Sequence, residues 1–71
     1  MMSIVLTKSN GTVFNVDYIT SIGPDKLLSR HNFAGYLSLA EALQMTEHIY
    51  KNGTNDCDPE TIVSVIIQRQ D

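Results

Sequence analysis

Seventy-one residues, 42% of them apolar, with a single cysteine and a formal charge of −3, set narrow bounds. Such a chain makes one domain, residues 1–71, and buries only about 60% of the surface its unfolded form exposes. Cys57 alone excludes an internal disulfide, Cys57, His31 and His48 are too scattered for a closed zinc site, and eight acidic against five basic residues leave no basic stripe for general phosphate-backbone binding.

Composition also suggests a compartment. No stretch approaches the ~20 apolar residues of a membrane span, and residues 1–7 lack the apolar run and cleavage site of a secretory signal. A lone unpaired thiol suits a reducing cytosol, so a cytoplasmic protein that does not engage membranes is expected. Asn10-Gly11-Thr12 and Asn52-Gly53-Thr54 match the glycosylation sequon but read better as turns.

In chain order, the first expected element is a β-hairpin. Residues 4–7 and 12–19 flank Asn10-Gly11, and Asn-Gly supplies the positive φ angles of a type I′ turn. That register pairs Val5 with Val16 and Ser3 with Tyr18. It sets Phe14, Val16 and Tyr18 on one face, with Val13, Asn15, Asp17 and Ile19 on the other. Residues 20–37 are ambiguous. Gly23-Pro24 marks a turn, 24–30 suits two helical turns or a strand, and 33–37 is compatible with a short strand. Ser38-Leu39-Ala40-Glu41 is a capping box opening a helix over about 39–51 that Asn52-Gly53 ends. Its apolar stripe is Leu39, Ala42, Leu43, Met45 and Ile49. After a polar loop, the dense β-branched run 61–68 favours a strand, although Asp58-Pro59-Glu60 also suits a helix start.

These pieces give an α+β fold: a small antiparallel sheet, β-β-α-β in order, with one main helix packed on one face. The strands lie second, first, last. The hairpin and the last strand are apolar on both sides, so the face away from the helix needs cover. Either residues 20–37 fold across it through Ile22, Leu27, Leu28 and Phe33, or another chain does, including a homodimer through the sheet edge or that face.

No nucleophile elbow, Gly-rich phosphate loop, HExxH or CxxC occurs, so a non-enzymatic protein without cofactor or metal is expected. Asp56, Asp58 and Glu60 form an acidic loop that, with Tyr36, supplies candidate contacts to a protein partner. Lys26, Arg30 and His31 are the alternative: an anion grip for a nucleotide or small ligand held between subunits. The leading expectation is a small interaction protein that binds a larger protein partner. Chains of this size and charge include phage and mobile-element inhibitors of host defence proteins such as nuclease complexes. A ligand-binding oligomer and a small enzyme acting through His31 are the other classes.

Overall fold

A computed structural model describes residues 13–70 of the chain. It contains β1 (Phe14–Ile22), β2 (Leu27–Leu37), helix α1 (Leu39–Asn52), a 3-10 turn (Pro59–Thr61) and β3 (Ile62–Arg69). The strands form one antiparallel sheet in the order β2-β1-β3. The α+β class, the β-β-α-β order and the sheet order second, first, last agree with the sequence reading.

Different strands fill that pattern. The hairpin expected around Asn10-Gly11, including strand 4–7, lies outside the described residues. The partners of β1 are instead Leu37 and Arg69 at Phe14, Ala34 and Ile67 at Val16, and His31 and Val65 at Tyr18. β1 is therefore central, bonded along both edges. The ambiguous segment does not fold across the sheet; it enters it. Gly23-Pro24-Asp25-Lys26 closes the β1–β2 hairpin, with Gly23 at φ 80°, Lys26 at φ 54°, and the Lys26 amide donating to the Gly23 carbonyl at 3.1 Å. As a result Ile22, Leu27 and Leu28 are exposed at the hairpin end and cover nothing.

The core lies between the sheet and α1. Val16, Tyr18 and Thr20 of β1 meet Ala42 and Ile49 of α1 and Ile62 of β3, with Phe14, Phe33, Leu37, Met45, Cys57, Val65 and Ile67 around them. The expected capping box forms: the Glu41 amide donates to Ser38 Oγ at 3.1 Å, and the Ser38 amide donates to Glu41 Oε1 at 2.8 Å. The buried stripe is narrower than expected. Leu39 and Leu43 are exposed, because the helix turns about 100° per residue and Ala42 and Ile49 take the inward position.

Gly53 ends α1 at φ 75°, ψ −158°, its amide donating to the Ile49 carbonyl at 2.9 Å. Thr54 and Cys57 then exchange amide-to-carbonyl bonds of 2.9 and 3.3 Å, folding the loop back toward Pro59. Both readings of Asp58-Pro59-Glu60 are met in part: a three-residue 3-10 turn with proline at its start, then the strand.

Candidate partner-binding surface

The face away from α1 differs from the expected apolar one. The register sets Asn15, Asp17 and Ile19 beside Arg30 and Asn32 of β2 and Ser64, Ile66 and Gln68 of β3. A carboxylate sits at the centre. Asp17 Oδ1 accepts from Asn15 Nδ2 at 2.9 Å and Asn32 Nδ2 at 3.0 Å, while Oδ2 accepts from Arg30 Nε at 2.9 Å and forms an ion pair with Nη2 at 2.8 Å. Arg30 Nη2 also donates to Gln68 Oε1 at 3.0 Å, tying all three strands together. Burial pushes the Asp17 carboxyl up, but the bonds from Asn32, Arg30 and Asn15 and the Arg30 charge together hold it below its ordinary value. This cluster ties the strands together, since both Asp17 carboxylate oxygens accept from donors of the chain's own sheet.

The proposed anion grip is not assembled. Lys26 sits in the hairpin turn. Arg30 and His31 are adjacent in β2 and so face opposite sides of the sheet. Arg30 is engaged by Asp17, whereas His31 stacks on Tyr18 with ring centroids 5.0 Å apart. His31 Nε2 lies 3.1 Å from Thr20 Oγ1, the pairing of a base with a nucleophile. Thr20, however, is 0% exposed, and its hydroxyl is closed to any substrate.

Tyr36 is placed very differently. It is 81% exposed, and its backbone lies in the left-handed region at φ 56°. For a bulky residue that conformation is an outlier. The cause is a bulge: Val16 opposes Ala34 and Phe14 opposes Leu37, so Gly35 and Tyr36 of β2 stand against Asn15 alone. The Tyr36 amide donates to the Gln70 side-chain carbonyl. Asp56, Asp58 and Glu60 are all exposed, but they precede Ile62, which opposes Thr20, while Tyr36 adjoins Leu37, which opposes Phe14. The two groups of candidate contacts thus lie toward opposite ends of the sheet, their register positions Thr20 and Phe14 about 20 Å apart along β1.

Sequence reasoning missed Leu39, Leu43, Tyr50 and Val63 as surface residues, all about half exposed. The first three follow one helix flank, at spacings of four and seven residues. Tyr50 reaches β3, where its hydroxyl accepts from the Val65 amide at 3.1 Å. Among the described residues no group of three or more His, Cys, Asp or Glu side chains could hold a metal ion, and no helix is long and apolar enough to cross a membrane. Compared with protein-family models, curated proteins and solved structures, the chain matches none.

Proposed function

We propose that this chain is a non-enzymatic interaction protein that docks on a larger protein and acts by occupying its surface, with Tyr36 as the anchor. The observation that carries this reading is an aromatic side chain 81% exposed on left-handed backbone. That conformation costs roughly 1–2 kcal/mol for a non-glycine residue, and the exposed ring gains little burial in return. Strain of this kind collects at binding sites, and tyrosine is among the residues that dominate interface energetics. The exposed carboxylates Asp56, Asp58 and Glu60 suit a partner with a basic surface, such as the nuclease complex that a defence inhibitor would meet. A grip on phosphate by Lys26, Arg30 and His31 has less support, with Arg30 already neutralised. An enzyme acting through His31 has less still, with Thr20 sealed.

The test begins with a pull-down of the tagged chain from its native cell, followed by titration of the recovered partner. Tyr36→Gly removes both ring and strain. It is expected to raise stability by about 1 kcal/mol, or roughly 4–8 °C in Tm, while weakening binding at least tenfold. Unchanged affinity would remove Tyr36 from the interface. Charge reversal of Asp56, Asp58 and Glu60 together is expected to weaken binding at low salt and progressively less as salt is added. Equal affinity at low salt would exclude the acidic loop.

A further inference from the structure

We infer that Gln70 is a latch that sets the Tyr36 bulge, a positioning residue that holds the ring in its outward, left-handed presentation. The latch is a property of the free chain; only its purpose rests on the binding role proposed for Tyr36.

Three observations converge on it. With two residues of β2 against one of β1, the Tyr36 amide falls out of the regular ladder, and a backbone donor without a ladder partner needs another acceptor. Gln70 supplies it from beyond the end of β3, on the far side of the sheet. The backbone of Gln70 is itself fixed, its amide donating to the Val13 carbonyl at 2.9 Å just ahead of β1. The reach also depends on the neighbour of Tyr36. A Cβ added at Gly35 would lie 3.2 Å from Gln70 Oε1 and 3.7 Å from Nε2, so glycine leaves the room in which the side chain crosses. One side chain therefore spans from the end of β3 to the bulge of β2 and meets the one amide whose position fixes where the tyrosine points.

Without that acceptor, Tyr36 has no tether to offset the cost of φ 56°, and the bulge relaxes toward extended backbone, which re-aims the ring. An anchor held in place before contact loses less freedom on binding, so the latch would make Tyr36 a preset contact.

The experiment is amide hydrogen exchange by NMR on the full chain, comparing wild type with Gln70→Ala, Gln70→Glu and Gly35→Ala. In Gln70→Ala the Tyr36 amide is expected to exchange at least tenfold faster, and its HN–Hα coupling to move toward the extended value, while Val16 and Tyr18 keep their wild-type protection. Gln70→Glu retains an acceptor at the same reach and is expected to restore protection; Gly35→Ala, which crowds the end of Gln70 without removing the acceptor, is expected to fall between wild type and Gln70→Ala. Equal Tyr36 exchange in wild type and Gln70→Ala would overturn the latch, and so would a Gln70→Glu chain as unprotected as the alanine variant. Neither result bears on whether Tyr36 contacts a partner, which Tyr36→Gly reads independently.

Discussion

Gly53→Ala is expected to remove at least about a third of the stability of this domain. A methyl group there would sit 2.4 Å from the Cys57 carbonyl oxygen, 2.9 Å from the Pro59 nitrogen and 3.0 Å from its Cδ. The first two are backbone atoms, so no rotation of a side chain relieves the contact. The loop cannot easily retreat either. Thr54 and Cys57 bond each other in both directions, Cys57 packs against the core, and Pro59 begins the turn that delivers Ile62 into it. The φ 75°, ψ −158° conformation adds a cost of its own for any residue with a Cβ. A loss of about 3 kcal/mol or more is expected, against a total of only about 4–10 kcal/mol for a chain of this length. Thermal unfolding followed by circular dichroism would then show Tm lowered by more than about 12 °C. Gly23→Ala is the control, at a similar φ of 80° but with nothing within 4 Å of the added carbon. It should cost only about 1 kcal/mol. If the two alanine variants melted together, the close packing of residues 53–59 would be refuted.

Asp17→Asn is expected to have the next largest effect, and one that depends on pH. The amide keeps one oxygen for Asn15 and Asn32 but turns an NH2 group toward the Arg30 guanidinium, setting donor against donor. The ion pair itself contributes modestly, because the Arg30 side chain is 49% exposed although that of Asp17 is only 12% exposed. The larger share is the loss of charge-assisted bonds at a buried acceptor, for a total of about 2–3 kcal/mol near neutral pH. Because the folded carboxyl titrates below its unfolded counterpart, the ionised form stabilises the fold. That contribution is complete above the unfolded aspartate value of about 4 and disappears as pH falls through the lower, folded one. Urea unfolding from pH 7 down to pH 3 should therefore show a steady gap between wild type and variant to about pH 4 that narrows below it. A constant gap across that range would show that charge is not what the site supplies.

How much of this was legible in the sequence varied with the range of the contacts that made each element. α1 was legible because its start is a local device: Ser38 and Glu41, three residues apart, bond each other's backbone. β3 was legible from its crowd of β-branched side chains. β2 was not. Arg30, His31 and Asn32 are polar on both faces, and bulges interrupt the two-residue period that identifies a strand, so its pairing with β1 decided the outcome. The sequence did place Asn15 and Asp17 on one face, but their partners Arg30, Asn32 and Gln68 come from two other strands, and the face was misread as apolar. Tyr36 was legible as a candidate by its chemistry alone. Its left-handed backbone could not be foreseen at a tyrosine; Gly35 beside it was the only local hint of a bulge.

The bond from the Val65 amide to the Tyr50 hydroxyl bears on how open the outer side of β3 is to a second chain. Outer strands offer hydrogen-bonding groups to any passing chain, and an apolar one such as β3 would otherwise invite stacking into larger assemblies. A phenol laid over the middle of that margin occupies one donor and interposes a bulky ring. Among the described residues no strand lies beyond β3, so a second copy pairing there would have to displace the Tyr50 ring from the Val65 amide.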